Sequence, residues 1–193
     1  MYLYRLYETF LNLPSGLQTV LLALLFMYLL HLADGYLFKR RLAATFTLKP
    51  RKSNNLLAPF LTHTFHGNWQ HLFANSLPFL ILGSIIALPH IQLFWLVTLV
   101  IMVVGSLGTW IIGSSGTHLG ASGLVTGYFG YIISRGLINE NVEETMLGLA
   151  IGLFYFGIFR TVFRRSPGVS NVMHFFGFCG GLIAAWILPR IIL

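Results

Sequence analysis

Acidic residues are scarce in this chain. Five Asp and Glu stand against twelve Lys and Arg, and of its 193 residues only 9% are charged while 56% are hydrophobic. A soluble globular domain carries roughly 25% charge, so this shortage excludes an ordinary soluble enzyme. One cysteine, Cys179, excludes an internal disulfide and leaves the redox compartment undefined. There is no H-E-x-x-H: His63, His66 and His71 lie close together in the chain, but no acid neighbours them. A metal-dependent hydrolase is therefore disfavoured, and neither a metal nor another cofactor is expected. The net charge of +7 is not organised into a basic helix or an aromatic-basic motif, so no nucleic-acid partner is expected. On a chain this apolar, the basic excess points to lipid headgroups.

What the chain has instead is long apolar runs, with a mean hydropathy of +0.77. About 20 apolar residues carry a helix across the hydrocarbon core, and six runs approach that length: Leu17 to Phe38, His71 to Leu88, Gln92 to Ile112, Leu119 to Ile133, Met146 to Phe163 and Asn171 to Leu193. The expected fold is an all-α integral membrane bundle of six transmembrane helices. Residues 1–16, with Tyr2, Tyr4, Tyr7 and Phe10, read as an interfacial segment rather than a cleaved signal peptide, and residues 17–193 as the six-helix domain. The longest connection, residues 39–70, holds Lys39, Arg40, Arg41, Lys49, Arg51 and Lys52, then the apolar LLAPFLTHTF, and is expected to lie partly in the membrane surface. Asn139 to Glu144 is a polar loop and Arg164 to Ser170 a short turn.

Six alternating spans bring the start of the second, the start of the fourth and the start of the sixth to one side. The polar residues set into those runs are His71 and Asn75, Ser122, and His174. They therefore share a face and a similar depth. The fourth run is short: fifteen residues reach about 22 Å, less than the ~30 Å core. Ser122 and the preceding GSSGTHLG then sit below the surface, which irregular backbone tolerates only inside protein or a wet cavity.

A serine hydroxyl becomes a nucleophile when a base takes its proton, and neutral histidine is the usual base. Ser122 in GTHLGASGLVTG and His174 in VMHFFGFCGG are the candidates. Gly120 precedes the serine. Gly123 with Gly127, and Gly177 with Gly181, form small-xxx-small pairs that let two membrane helices meet closely. His71 and Asn75 are spaced i, i+4 on one helix face and offer donors for an oxyanion, as does the Ser122 amide. Asp34 lies on the same side but beside KRR, and is expected at the interface rather than as a third catalytic member. Taken singly, each feature has a plainer reading: G-x-S-G is a weak motif, a serine in a membrane helix is most often a packing residue, and glycine pairs serve helix packing alone.

Together, H-x-x-x-N at His71 and Asn75, G-x-S-G at Gly120 to Gly123, and H-x-x-G-x-x-x-G at His174, Gly177 and Gly181 resemble the rhomboid family of intramembrane serine proteases, on the second, fourth and sixth spans and over nearly the whole chain. His66, five residues before His71, also fits. The resemblance implies that Ser122 is the nucleophile and His174 the general base, that His71, Asn75 and the Ser122 amide form the oxyanion hole, and that transmembrane protein segments are cleaved near the bilayer surface without a cofactor. The alternative is a catalytically silent relative that binds transmembrane helices. The pattern departs from the family in three places: Trp69 stands without the Trp-Arg pair of the first loop, Gly83 is not followed by glutamate, and Thr126 holds a position where many members carry an aromatic residue. The resemblance also implies a site opening away from the cytoplasm. That puts the six basic residues of the first loop and Arg160, Arg164 and Arg165 outside, leaving Arg5, Arg135 and Arg190 inside, against the positive-inside rule. A bacterial plasma membrane is the expected location.

Overall fold

The computed structural model describes residues 2–52, 55–157 and 170–192. Among these the architecture is all helical, without a strand; Leu48 and His118 form an isolated antiparallel bridge. A short amphipathic helix α1 (Tyr2–Leu11) leads into α2 (Ser15–Tyr36), which begins two residues before the expected first span. The first loop contains the short helices α3 (Arg41–Phe46) and α4 (Ala58–Leu61). Then follow α5 (Trp69–Ala87), α6 (Ile91–Ile112), α7 (Ser122–Ile138), α8 (Val142–Phe154), α9 (Asn171–Ile187) and α10 (Pro189–Ile192).

Among the described residues three helices, α2, α5 and α6, are long and apolar enough to cross a membrane, at 22, 19 and 22 residues; α9 is a shorter apolar helix. Their outer faces carry exposed Leu22, Leu25, Phe26 and Leu29 on α2 and Leu99, Val103 and Leu107 on α6. Continuous apolar surface of this kind belongs against lipid. The expected fourth span starts at Ser122 rather than Leu119 and runs on to Ile138, a length of about 25 Å. The expected fifth begins earlier, at Val142, and its predicted end at Phe163 lies outside the described residues, as does the predicted turn from Arg164 up to Val169. The last predicted span is divided near Leu188, where Pro189 withdraws a backbone N–H and a new short helix begins.

α7 is the hub. Every residue from Gly123 to Ile132 is buried, as suits a helix apolar on all sides. It packs on α5, α6, α8 and α9, and α9 in turn is wedged between α6 and α7. The buried Tyr128 phenol is satisfied by Thr98 Oγ1 on α6 at 2.8 Å. Where α7 meets α8, Arg135 pairs with Glu144 at 2.7 Å. Gly83, on α5, sits where a side chain would press on Val20 of α2 and Phe94 of α6.

Asp34 is buried, 1% exposed, instead of facing headgroups. Its Oδ1 accepts from the Leu42 and Ala43 amides at 2.9 and 3.3 Å, so the carboxylate caps the start of α3. Lys39 and Arg40 make the reversal between α2 and α3 with positive φ of 48° and 65°, an unusual conformation for residues with side chains. Arg40 folds back over the His31 ring, with nitrogen separations of 3.3 and 3.4 Å, and donates to the His66 carbonyl at 3.3 Å. The first loop is thereby tied to both α2 and the segment that enters α5.

Candidate active site

Ser122 is the first residue of α7 and half-buried. The position before it, Ala121, offers no side-chain cap, so the first-turn amides of this helix receive no acceptor from that position. The other helices that start at this side are capped by their own side chains. Asn68 accepts from the His71 amide at 2.8 Å and starts α5; Ser170 Oγ accepts from the Met173 amide at 3.3 Å and starts α9.

The segment leading to Ser122 is held by the first loop. The His118 amide donates to Leu48 O at 2.9 Å, and the Gly120 amide to Thr62 O at 3.0 Å. The Thr62 hydroxyl donates to His118 O and accepts from the Leu48 amide at 3.1 Å. The Ala121 amide donates to His66 Nε2 at 3.2 Å. His66 Nδ1 lies 3.3 Å from Thr64 O, to which it donates in the tautomer this pairing requires. His118 spans further: Nδ1 lies 2.5 Å from Ser170 Oγ, the cap of α9, and Nε2 lies 3.0 Å from Ser114 O. Sequence reading placed His66 by resemblance and missed Thr62, His118 and Ser170. They lie in three separate segments, and no spacing along the chain links them.

His71 reaches the serine segment from α5. Gly120, at φ 114°, lies against its ring: a Cβ there would stand 2.5 Å from His71 Cε1 and 2.8 Å from Nε2. That position accepts only glycine, both for the clash and for the φ. The His66 and His71 rings meet edge to face, 5.2 Å apart. Asn75 is buried one turn along α5, and one of its amide N–H groups donates to His71 O at 2.8 Å.

α9 approaches α7 through the two predicted glycine pairs. A Cβ on Gly177 would overlap Gly123 O, one on Gly181 would overlap Gly127 O, and one on Gly127 would come within 2.8 Å of Gly177 O. Backbone meets backbone at each step. One turn before Gly177, the His174 carbonyl lies 3.2 Å from Thr126 Oγ1, and the His174 side chain is buried. The segments bearing His71, Asn75, Ser122 and His174 thus converge at the start of α7.

His63 and His66 do not join a metal cluster; among the described residues no group of three or more His, Cys, Asp or Glu converges. His63 Nε2 donates to Ser106 Oγ at 3.1 Å, and that hydroxyl donates to Pro59 O at 2.6 Å. Burial lowers the His63 pKa to about 4. Burial, reinforced by neighbouring His71, lowers that of His66 to about 3 against the pull of the Thr64 carbonyl. Both lie below the ordinary 6.5 of an unfolded histidine. The stabilisation that comes from keeping these rings neutral is complete above about pH 6.5 and is lost as pH falls towards the folded values. A proton on His66 Nε2 also removes the acceptor of the Ala121 amide. The thermal midpoint of the detergent-purified protein is therefore expected to fall between pH 6.5 and 4; a midpoint flat over that range would overturn this account of the two rings.

The family model described as a Rhomboid domain matches residues 54–191, which is most of the chain. This chain belongs to the rhomboid family. Similar proteins include uncharacterized ones from Mycobacterium tuberculosis and Mycobacterium bovis, each 33% identical over 182 residues, 90% of this chain and 75% of theirs. Another, from Mycobacterium leprae, is 31% identical over 90% of this chain and 71% of its own. Membership together with the apolar helices makes this rhomboid an integral membrane protein of a family whose general activity is serine proteolysis within the bilayer.

Proposed function

We propose that this rhomboid is an intramembrane serine endopeptidase acting through a dyad of Ser122 and His174. The observation that carries the reading is the meeting at the start of α7: the His71 ring on Gly120, the α9 backbone at Gly177 against Gly123, and an uncapped first turn behind Ser122. Ser122 Oγ attacks the scissile carbonyl and its proton passes to His174. The oxyanion takes hydrogen bonds from His71, from the second N–H of Asn75 and from the Ser122 amide. As the tetrahedral intermediate collapses, the C–N bond breaks and His174 gives its proton to the leaving amine. Water, deprotonated by His174, then releases the acyl group from Ser122.

The substrate is a transmembrane segment that unwinds locally, because a helical peptide hides its carbonyl. It reaches the site laterally between α5 and α8, which each pack on α7 and make no extensive contact with one another among the described residues. In this reading the chain crosses the membrane six times. The exposed Leu56, Leu57 and Phe60 dip into lipid, and exposed Arg51 and Lys52 reach headgroups of a bacterial plasma membrane. The site opens away from the cytoplasm.

Labelling with a fluorophosphonate probe tests the reading. Wild type labelled at Ser122, with Ser122→Ala and His174→Ala unlabelled, supports it. Folded wild type that takes no label favours a silent relative that binds transmembrane helices. Asn75→Ala is expected to lower kcat by about 10²–10³-fold on a transmembrane peptide, less than loss of the serine. A change below twofold would remove Asn75 from the oxyanion hole.

A further inference from the structure

The Thr126 hydroxyl has one proton and three carbonyl oxygens in reach: Gly123 O at 3.0 Å, Ser122 O at 3.1 Å and His174 O at 3.2 Å. The first two belong to its own helix. Threonine inside a helix commonly bonds back to such carbonyls, and taken alone they imply nothing more than a satisfied hydroxyl. The third belongs to α9, and to the residue proposed as general base. The approach that permits it is built by glycine: a Cβ on Gly177 would stand 3.0 Å from Thr126 Oγ1. Thr126 itself is buried, 2% exposed, where water does not compete for the bond.

We propose that Thr126 is a positioning residue, whose hydroxyl pins the His174 backbone at the level of Ser122. The inference rests on the dyad reading above. Glycine contacts between α7 and α9 set how closely the helices approach but exert little directional hold along their axes. A hydrogen bond from Thr126 to His174 O is directional, and it acts one turn from the nucleophile on one helix and at the base on the other. It touches the backbone of His174 and not its ring. Thr126 does not contact the reacting atoms.

The local geometry makes the substitutions informative. Thr126→Val replaces the hydroxyl by a methyl, which is too large for a 3.2 Å approach to an oxygen, so it removes the bond and presses the helices apart. Thr126→Ala removes the bond and leaves space. Thr126→Ser retains the hydroxyl with one methyl fewer. Hydrogen bonds between membrane helices have measured strengths that correspond to about 3- to 20-fold in an equilibrium. A fall in kcat of that size, about 3- to 20-fold, is expected for the Ala variant and at least as large a fall for Val, with KM in Ala changed by less than about twofold and Ser close to wild type.

The test uses the full chain in lipid nanodiscs. Fluorophosphonate titration counts the functional sites, and kcat and KM for a transmembrane peptide are expressed per titrated site. A drop in kcat per site for Val and Ala, restored by Ser, supports the proposal. If Val fails to fold, Ala carries the comparison. Wild-type kcat per site in Ala, or an equal loss in Ser and Ala, overturns it. So does a loss confined to the number of titratable sites, which would mean that Thr126 serves folding alone. Failure of the dyad reading looks different: wild type takes no label, or His174→Ala is labelled at the wild-type rate, and the proposal then falls with it.

Discussion

Ser122→Ala is expected to abolish cleavage of a transmembrane substrate, with kcat/KM reduced by about 10⁴-fold or more. The substitution removes one oxygen from a half-buried residue at the first position of α7 and introduces no clash. The glycine contacts with α9 and the hydrogen bonds from the first loop remain, so the variant should melt at the wild-type temperature. His174→Ala is expected to lose comparable activity, and some stability as well, because the ring is buried. The informative comparison is the double variant. Residues that act as one unit are strongly non-additive, so removing both should slow the reaction no further than removing one. Single-turnover cleavage of a transmembrane peptide in nanodiscs measures all three. Wild-type activity in Ser122→Ala would falsify the nucleophile assignment, and multiplicative losses in the double variant would separate Ser122 and His174 into independent roles.

Gly177→Ala and Gly181→Ala are expected to have the next largest effects. The nearest atoms that an added methyl would meet are backbone. On Gly181 it overlaps Gly127 O and stands 2.7 Å from Tyr131 N; on Gly177 it overlaps Gly123 O and stands 3.0 Å from Thr126 Oγ1. A backbone carbonyl overlapped in this way cannot yield as a side chain can, so α7 and α9 must separate. Overpacking of this kind costs about 1–3 kcal/mol of stability. Separation by about 1 Å near the reacting groups is expected to lower the rate by about 10²-fold. Gly177, one turn from His174, should lose proportionately more activity than stability. Gly152→Ala is the matched control, since a Cβ there meets only Ile133 Cγ2 at an ordinary 3.8 Å. Thermal midpoints and cleavage rates measured side by side decide the matter. A Gly177→Ala protein with the wild-type rate would show that this helix contact does not set the reaction geometry.

Much of the candidate site was legible because its chemistry is local in sequence. His71 and Asn75 share a helix face by spacing, Ser122 sits among glycines, and the small-xxx-small pairs at Gly123, Gly127, Gly177 and Gly181 announced the close meeting of α7 and α9. The apolar runs gave α2, α5 and α6 to within two residues at each end. α7 starts three residues later than the apolar pattern predicts, because Leu119 to Ala121 is as apolar as the helix that follows. In the structure those residues are extended or turned, held by hydrogen bonds to Thr62 and His66. Asp34 departs from its expected place for a related reason. A carboxylate beside KRR looks solvated, whereas the reversal at Lys39 and Arg40 folds α3 back so that its first amides enclose the side chain.

The sequence by itself therefore determined a helical membrane chain, the family to which it belongs, and which four polar residues stand on which helices. Hydropathy and the spacing of polar and small residues are properties of neighbours along the chain, so they survive without coordinates. Only the tertiary structure decided how the serine segment is held: Leu48, Thr62 and His66 bind His118, Gly120 and Ala121 across more than fifty residues. It also decided that Thr126 faces the His174 carbonyl. Single hydrogen bonds between distant segments impose no periodicity on either segment, and their donors and acceptors are largely backbone groups that every residue carries.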